Sequence, residues 1–375
     1  MNKNLLACIL VSSSALNTFA DDSLNDFESI LDEATTIVTE KSINVDYMPS
    51  VVTVIDAQTY LDGGIQNVGE ALGMLPGIQM QMNYLGQPRT TIRGFNNPNS
   101  FISDKVKILV DGVAINNEAS GTSGFFMDFP LDLVDRIEVL RGPGSTVYGA
   151  GAIYGSVNII TKTANKAKES SFYWGIGSYK NATTGGNFHT SLGNFQIFTD
   201  AYYAQNDKAL FDEKALRGSG ATTDETKEDL SVGLKVVNGG FEFLSRYKSS
   251  HYGNFYLYPG NPQPNMDKGR KLDYFLSQLS YKTDIDGYKL DTRLKYSFRE
   301  SDITAYASPE VFYIRDHQAE HNSEAEVILE IPKVYSNAIS IGVGVRHVLI
   351  SADDFYSNIE DAIGGNTAVD RKSVV

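Results

Sequence analysis

The sequence predicts a mainly β protein, with an N-terminal α+β domain followed by the strands of an antiparallel transmembrane β-barrel. Three features support this prediction. Residues 47–165 combine short strand patterns, turn residues and one capped helix. Residues 166–375 contain long segments whose side chains alternate in polarity. No run of about 18 apolar residues follows the N-terminal leader, so a membrane location would require strands.

The composition narrows the class of partner. The 375 residues include 46 Asp and Glu against 32 Lys and Arg, for a net charge of −14. Nucleic-acid binding depends on clustered Lys and Arg, so this excess of acid argues against a nucleic-acid partner. The 21 tyrosines suit a membrane–water interface, because the ring is apolar and the hydroxyl is polar.

The first residues form a leader. Residues 1–20 contain Lys3, an apolar run and a T-x-A site ending at Ala20, which predicts a secretory signal peptide. Lipoprotein cleavage before Cys8 is an alternative, but it would leave too short an apolar region. Cys8 is the sole cysteine, so the mature chain is expected to lack disulfides. Residues 21–46 are expected to form a polar, acidic arm.

The α+β domain begins with a strand pattern at 50–56, SVVTVID. A helix is predicted over 67–75, NVGEALGML, with Asn67 as its N-cap and Glu70 at the third helical position. Pro76 and Gly77 should end it. Further strands are predicted from TTIRGF (90–95), VKILVDGV (106–113), VDRIEVLRG (134–142) and GSVNIITK (155–162).

A glycine-rich stretch at 141–162 contains Gly149, Gly151 and Gly155, a loose relative of the dinucleotide-binding fingerprint. That fingerprint needs a helix after the glycines, so that the helix N-terminus faces the pyrophosphate. Here SVNIITK predicts a strand instead, and no G-K-[ST] follows. The glycines are therefore expected to permit tight turns and close backbone approach.

The alternation is clearest at 288–300, YKLDTRLKYSFRE, and recurs at 324–331 and 339–347. A soluble sandwich has the same period of two. Segments of about 10 residues, with long polar loops at 207–229 and 251–270, favour an outer-membrane barrel of about nine strands. One segment, LDYFLSQLSY at 272–281, shifts phase midway.

One motif suggests metal chemistry. HQAEH, His317 to His321, matches the H-x-x-E-H zinc-peptidase signature. Catalysis requires a helix that places both histidines on one face. This segment leads into an alternating strand, on which Glu320 would point away from them. Surface histidines are the expected interpretation, with haem or metal capture as the remaining alternative.

Four stretches occur in this order: VGEALGMLPGI (68–78), TIRGF (91–95), ILVDGV (108–113) and IEVLRGPGSTVYGAGAIYGSVNIITK (137–162). Together they resemble the plug domain of TonB-dependent outer-membrane receptors. The resemblance covers residues 35–165 closely. The region beyond is similar to the family's barrel in its alternation only.

The resemblance implies a plug seated in a bacterial outer-membrane barrel of about 22 strands. It implies a receptor, monomeric when full length, that imports a scarce ligand such as a ferric siderophore, haem or cobalamin. TonB of the inner-membrane energising complex, the metal chelate and outer-membrane lipid are the implied partners. No cofactor, catalytic residue or resident metal is expected, since iron or cobalt would arrive within the ligand.

The resemblance also implies functional residues. The candidate TonB box is Thr36, Ile37, Val38 and Thr39, whose β-prone side chains suit pairing with a partner's sheet edge; the alternative is the first strand of the plug. Arg93 and Arg141 are expected to pair with barrel carboxylates such as Glu324, Glu326 and Glu330. Ion pairs within the plug are the alternative for both arginines. Ligand contacts are expected from the plug apices, at Tyr84, Gln87, Asn96, Asn97, Asn117, Phe125 and Phe126.

The length of the chain conflicts with a complete barrel. Residues 166–375 provide 210 positions, whereas 22 strands of about 9–11 residues need about 220 before any loop. We therefore expect a fragment with leader, plug and about nine strands. A ferric siderophore is the expected cargo, and a basic strand face (Lys289, Arg293, Lys295, Arg299) favours an anionic chelate. The alternatives are a haem or cobalamin receptor, a non-energised surface-binding barrel protein and a soluble periplasmic enzyme.

Overall fold

A computed structural model describes two β-sheet systems, one after the other along the chain. The described residues are 51–82, 88–92, 105–118, 121, 126–142, 151–164, 169–207, 226–253, 269–308, 312–334, 337–357 and 373–374. The predicted leader, the arm and the TonB box lie outside them. The mainly β fold with antiparallel strands in the second half is confirmed.

The first system is the plug. Its elements are β1 (Val51–Asp56), α1 (Ala57–Asp62), α2 (Val68–Gly73), β2 (Ile78–Met82), β3 (Pro88–Ile92), β4 (Val106–Val110), β5 (Val113–Ala114), β6 (Val134–Arg141) and β7 (Gly155–Thr161). The strand order is β1-β6-β7-β4-β5, with β4 and β7 parallel and the other neighbours antiparallel. The β2–β3 pair forms a separate ribbon.

Side-chain caps start both helices. Asn67 caps α2 as predicted, because its side-chain oxygen accepts from the amide of Glu70 at 2.9 Å. The Glu70 carboxylate in turn accepts from the backbone amide of Gln66 at 2.9 Å. The backbone amides of Gln66 and Glu70, which have no partner within the helix, are thereby both satisfied. Asp56, the last residue of β1, caps α1 through the amide of Thr59. Helix α1 itself was not predicted.

The plug core is apolar and fully enclosed. The central strands β4, β6 and β7 contribute side chains that are at most 1% exposed, among them Ile108, Val110, Ile137, Val139, Val157 and Ile159. The buried face of α2 packs onto the same core through Val68, Ala71 and Leu72. Strands covered on both faces read as apolar runs, which explains why these segments were recognisable in the sequence.

The glycines serve backbone proximity, as predicted. Gly155 opens strand β7, so the helix that a nucleotide site needs is absent from this position. A Cβ on Gly155 would collide with the carbonyl oxygen of Leu140 and lie 2.7 Å from Cδ1 of Ile92. Gly151 has φ +93°, a left-handed conformation that glycine adopts readily.

One strand prediction was wrong in detail. The stretch 106–113 was expected to be a single strand, but it is a hairpin of β4 and β5. Asp111 and Gly112 form its turn with φ of 49° and 79°. Asp is among the few residues with a side chain that tolerate the left-handed region, so Asp-Gly is a strong turn signal.

The second system is one antiparallel meander. Its strands are β8 (Ser171–Ile176), β9 (Ala182–Leu192), β10 (Phe195–Asp207), β11 (Thr226–Asn238), β12 (Phe241–Tyr252), β13 (Gly269–Ile285), β14 (Tyr288–Ser308), β15 (Phe312–Val334), β16 (Asn337–Ser357) and β17 (Ser373–Val374). Strands β14 to β16 contain 21, 23 and 21 residues. They exceed the about 9–11 residues that cross a bilayer, so they extend beyond it.

The burial pattern of the meander is inverted relative to a soluble protein. On β11, Leu230, Val232 and Leu234 are exposed, whereas Asp229 and Lys235 are buried. Apolar residues therefore cover the outer face, and polar residues face inward towards the plug. This is the arrangement of a strand with lipid on one side and a polar lumen on the other.

The phase shift in β13 has a structural cause. Leu272, Tyr274 and Leu276 face inward and belong to the same apolar cluster as the plug core. Farther along the strand, Leu279 and Ile285 face outward and are exposed. The apolar side changes because the plug covers one part of the strand and not the other.

Within the described residues the meander has two edges, since β8 pairs with β9 alone and the short β17 with β16 alone. None of the described helices is long and apolar enough to cross a membrane.

Candidate functional site: the interface between plug and barrel strands

The plug lies against the inner face of strands β11 to β16. Four barrel side chains, Leu244, Leu272, Tyr274 and Leu276, are buried in its apolar cluster. Phe126 of the plug meets the Tyr274 ring edge-on, with centroids 5.6 Å apart. The Tyr274 hydroxyl donates to the carbonyl oxygen of Ala114 at 3.0 Å. Apolar packing and directed polar contacts therefore both hold the plug in place.

Of the described ion pairs between plug and barrel, the most enclosed joins Asp111 of the hairpin turn to Lys235 of β11. Lys235 Nζ lies 2.7 Å from Asp111 Oδ1, and the two side chains are 6% and 7% exposed. The same ammonium donates to the carbonyl oxygen of Thr161 at 2.8 Å. The Asp111 carboxylate also accepts from the amide and hydroxyl of Thr161. The turn, the end of β7 and the barrel wall thus share one network.

A second ion pair links Asp128 of the plug to Lys227, with Nζ and Oδ2 2.7 Å apart. Lys227 also pairs with Asp229 at 2.6 Å, and Asp229 accepts from Lys248 at 2.8 Å. One barrel carboxylate therefore serves two barrel ammonium groups, and Asp128 supplies the additional negative charge.

Beside this pair an arginine reaches a plug ring. The Arg246 guanidinium lies 4.9 Å from the centroid of the Phe129 ring, a cation–π contact. Arg246 is held in place by a bidentate pair with Asp200, at 2.7 and 2.8 Å.

The third ion pair joins Glu118 of the plug to Arg346 of β16. The amide of Glu118 also donates to Oε2 of Glu320 on β15 at 3.2 Å. Arg346 and Lys235 belong to one cross-strand row of register partners, namely Lys235, Leu244, Gln278, Lys295, Glu324 and Arg346. The plug segment from Asp111 to Glu118 therefore runs along one row of the barrel wall.

These contacts reverse the predicted polarity. Arg141 was expected to pair with a barrel carboxylate, but it donates to the carbonyl oxygen of Pro76 at 2.8 Å and to the Thr53 hydroxyl at 2.7 Å, both in the plug. Arg93 lies outside the described residues. In all three ion pairs described above, the plug supplies the carboxylate and the barrel supplies the cation. None of these three pairs was predicted, although the barrel cations occupy inward positions of alternating strands.

Two of the barrel carboxylates proposed for the arginines, Glu324 and Glu326, have other partners, and so does Glu320, which was not among those proposed. Glu324 pairs with Lys295 at 3.0 Å, and Glu326 lies 3.5 Å from Lys295 and 3.9 Å from Arg293. Glu320 lies 3.6 Å from Arg299. The basic face of β14 is thus largely neutralised by the adjacent acidic strand.

Of the predicted ligand residues, two are buried in the structure and the others lie outside the described residues. Phe126 is 0% exposed and packs against Phe129 and Tyr274, so the core holds it and a ligand does not reach it. Asn117 is 2% exposed, which also makes direct ligand contact unfavourable. The remaining predicted positions, Tyr84, Gln87, Asn96, Asn97 and Phe125, lie outside the described residues.

The H-x-x-E-H stretch lies within strand β15. Glu320 is buried on the inner face, whereas His321 contacts Phe298 and Tyr296 on the outer face. This geometry turns Glu320 away from the face that the histidines share, whereas a zinc peptidase needs the glutamate beside the metal-bound water. Among the described residues, one group brings three potential metal ligands together: Glu300, Asp302 and His317, with ligand atoms within 4.8 Å. His317 Nδ1 lies 2.5 Å from Asp302, so the imidazole already has a carboxylate partner.

Burial shifts the pKa of several plug residues, among them Glu138 and Lys107. Burial raises the pKa of Glu138 to about 7, although Arg136 and Asn158 bond to its carboxylate at 2.8 and 2.9 Å. Burial, with the nearby Arg346 guanidinium, lowers the pKa of Lys107. Both groups lie on strands of the plug sheet, so ionisation there is tied to folding and docking.

Comparison with known proteins agrees with this architecture. Residues 44–156 match the family described as the TonB-dependent Receptor Plug Domain. The chain is 36% identical over 141 residues to the vitamin B12 transporter BtuB of Vibrio vulnificus (strain CMCP6), a match that covers 37% of this chain and 22% of that protein.

Three solved receptors share the fold. The ferric yersiniabactin uptake receptor FyuA from Yersinia pestis aligns with a TM-score of 0.60 and 17% identity, over 82% of this chain and 51% of that one. The pyoverdine receptor FpvA from Pseudomonas aeruginosa PAO1 aligns with a TM-score of 0.61 and 16% identity, over 84% of this chain and 48% of that one. The ferric-catecholate receptor Fiu from E. coli K12 aligns with a TM-score of 0.61 and 15% identity, over 86% of this chain and 52% of that one. The chain spans about half the length of these structures. Identities this low show a common fold and do not specify a cargo. Residues 44–156 therefore carry the plug domain of the TonB-dependent receptor family, docked against the inner face of strands that share the fold of outer-membrane receptor barrels.

Proposed function

We propose that this protein is an energised outer-membrane import receptor for a scarce metal chelate, with a ferric siderophore as the favoured cargo. One observation carries the proposal: among the described residues, three ion pairs tie a folded plug to the polar inner face of strands whose outer face is apolar. A lumen closed by a separately folded domain suits regulated passage better than free diffusion. The siderophore assignment is supported by the cargo named for the three solved relatives.

Cobalamin is the second candidate cargo. A stretch of 141 residues is 36% identical to a vitamin B12 transporter, a higher identity than the solved siderophore receptors have to this chain. Haem is a third cargo of the same kind. A non-energised surface-binding protein is disfavoured, because surface binding does not require a docked plug.

Energy would enter through TonB at residues 36–39. An extended β-prone segment on a polar arm is suited to adding a strand to a partner's sheet. Replacement of Ile37 by proline removes a backbone donor and disfavours such pairing. Binding of the ligand at the cell surface does not use this segment and should survive the replacement.

The test is growth of a deletion strain on single sources: individual ferric siderophores, haem or cobalamin. The intact gene should restore growth on one source and the Ile37→Pro variant should not, although cells carrying the variant should still bind that ligand. Growth of the deletion strain on every source, at the wild-type rate, would contradict an import function. Equal uptake by the Ile37→Pro variant and the wild type would contradict the proposal that TonB acts through residues 36–39.

A further inference from the structure

Three potential metal ligands meet on the outer face of strands β14 and β15. Glu300 and Asp302 are two positions apart on β14, and Asp302 lies directly opposite His317 of β15. Ser301, between the two acids, is 3% exposed and faces inward. The side chains of Glu300, Asp302 and His317 are 39%, 50% and 30% exposed. The alternation of the strands therefore directs all three side chains away from the lumen.

The cluster lies within the sheet. Strand β14 pairs with β13 on its other side, and β15 pairs with β16 between Ile314 and Val334. The register partner of His317 on β16 is Asp353. The exposure of the three side chains therefore belongs to the outer face of the wall and does not arise from a missing neighbouring strand.

Each nitrogen of the His317 ring faces a carboxylate. Nδ1 lies 2.5 Å from Asp302 Oδ1, and the ring donates because an ionised carboxylate only accepts. Nε2 lies 3.8 Å from Glu300 Oε1. That separation exceeds the about 2.7–3.2 Å of a hydrogen bond. It is close to the about 3.4 Å that separates two ligands of a tetrahedral zinc ion with bonds of about 2.1 Å.

The bond to Asp302 prepares the ring for a metal. A histidine ligand usually donates its second ring N–H to a carboxylate, which fixes the orientation of the imidazole. With its proton on Nδ1, a neutral ring carries a lone pair on Nε2, the nitrogen beside Glu300. Two lone pairs that face each other at this distance are well placed to share a cation.

The local charge also favours a cation. Glu300 and Asp302 place two carboxylates on one face of β14, with ligand atoms of the cluster within 4.8 Å of one another. Lys271 lies opposite Asp302 on β13, but its ammonium is 2.8 Å from Asp273. A divalent ion would offset the repulsion between the two carboxylates.

The cluster lies beyond the apolar band of the wall. Asp302 is 14 residues from Tyr288, where β14 begins, which corresponds to about 46 Å at about 3.3 Å per residue. An apolar band about 25 Å tall, crossed at about 40°, takes about 33 Å of strand. The rings of Phe298 and His321, which contact each other, precede the cluster as an aromatic girdle would. Dissolved ions can therefore reach the cluster from water.

We propose that Glu300 and His317 bind a divalent transition-metal ion, with Zn²⁺ as the best match, and that Asp302 orients the imidazole through Nδ1. Imidazole nitrogen together with carboxylate oxygen suits Zn²⁺, whereas Ca²⁺ and Mg²⁺ take oxygen ligands. The remaining coordination positions are open to water. The ion would join β14 to β15 outside the membrane. It is a resident of the wall and not cargo, so the inference does not depend on the proposed import function.

The H-x-x-E-H motif contributes only its first histidine to this site. His321 is four positions from His317 on the same strand, a distance of about 13 Å. Two histidines so far apart cannot hold one ion. The ligands come instead from the neighbouring strand, which the motif does not include.

The first experiment titrates the detergent-purified protein with Zn²⁺ and, separately, with Ca²⁺ by calorimetry. The wild type should bind Zn²⁺ more tightly than Ca²⁺, and His317→Gln should lose this binding. Asp302→Ala should weaken it about 10- to 100-fold because the ring loses its orienting partner. Asp302→Asn retains an acceptor for Nδ1–H and should recover part of the affinity. Glu228→Gln is the matched control, since it removes one exposed outer-face carboxylate on β11.

The second experiment measures hydrogen exchange of residues 300–318 with Zn²⁺ and with Ca²⁺ at equal concentration. Zn²⁺ should slow exchange in the wild type and have no effect in His317→Gln. Exchange in β10 should be the same in every variant, which shows that the strands remain folded. Equal Zn²⁺ affinity in His317→Gln and the wild type, an equal loss in Glu228→Gln, or equal protection by the two ions would overturn the proposal.

Discussion

The ammonium of Lys235 lies 2.7 Å from the carboxylate of Asp111, and this pair connects the wall of the barrel to the turn of the β4–β5 hairpin. Asp111 adopts a φ of 49°, which places its carboxylate where it also accepts two bonds from Thr161. The Asp111 side chain therefore stabilises the hairpin turn, the fold of the plug and the contact between plug and barrel. Both partners are almost fully enclosed, so the loss of either leaves an uncompensated charge.

Replacement of Lys235 by methionine should destabilise the docked plug by about 3–5 kcal/mol, because Asp111 remains buried without its cation. The double variant with Asp111→Asn should be less destabilised than the sum of the two single variants. Hydrogen exchange of residues 105–118 measures this. Lys282→Met is the control, since Lys282 is 61% exposed and 3.7 Å from its partner. Additive effects would show that the two residues do not interact.

Glu138 should make plug stability depend on pH. Its folded pKa of about 7 lies above the ordinary value of 4.5, so the folded state holds a proton that the unfolded state releases between these values. The contribution is therefore most favourable below pH 4.5 and is lost as the pH rises through 7. A tenfold change in an ionisation constant corresponds to about 1.4 kcal/mol, so the free energy of unfolding should fall by a few kcal/mol across this range.

Glu138→Gln should flatten this dependence. Urea titrations at pH 5 and pH 8, followed by hydrogen exchange of β6 and β7, compare the variant with the wild type. Asp56→Asn is a control on the plug surface that also changes one carboxylate, although it weakens the α1 cap. A wild type that is equally stable at both pH values, or more stable at pH 8, would contradict the assignment.

Gly155→Ala should destabilise the plug by about 1–3 kcal/mol or more, since the added methyl group overlaps the Leu140 carbonyl oxygen and crowds Ile92. Gly73→Ala is the matched control, because its methyl group would meet Met80 Cγ at an ordinary 3.7 Å. Thermal unfolding of the two variants under the same conditions compares them. Equal stability would mean that the close approach at Gly155 relaxes without cost.

The outer face of β11 should respond to charge according to depth. Val232→Arg places a cation in the middle of the apolar band and should cost about 2–4 kcal/mol, whereas near the interfaces the cost falls to about 0–1. Glu228→Arg is the control, since Glu228 is exposed on the same face towards the end of the strand. Folding titrations into lipid vesicles measure both. A smaller loss for Val232→Arg than for Glu228→Arg would argue against lipid contact at this face.

Local pattern was sufficient for many elements. The capped helix at Asn67, the strand that ends at Asp56 and the strand after Gly155 form as predicted, because capping, alternation and turn residues act over a few positions. The Asp111–Gly112 turn was missed although Asp-Gly is a strong local turn signal, because the apolar residues on both sides of it also fit one continuous strand.

The site was less predictable. Phe126 was expected at a ligand-facing apex but lies in the core, because an aromatic residue in a loop segment gives no sign of which side it faces. The sequence favoured plug arginines and barrel acids, whereas the structure pairs plug acids with barrel cations. Formal charge is visible in a sequence, but the partner of a charge is not.

The order of residues alone was enough to predict a β-rich chain and strands with one apolar face, since both follow from local patterns of a few residues. The plug-type first domain was predicted from the resemblance of four ordered motifs to a known family. Three-dimensional folding decided which carboxylate neutralises Lys235 and Arg346, and why β13 changes its apolar side. These depend on contacts between segments more than a hundred residues apart, such as Asp111 with Lys235, whose proximity exists only after the plug has docked.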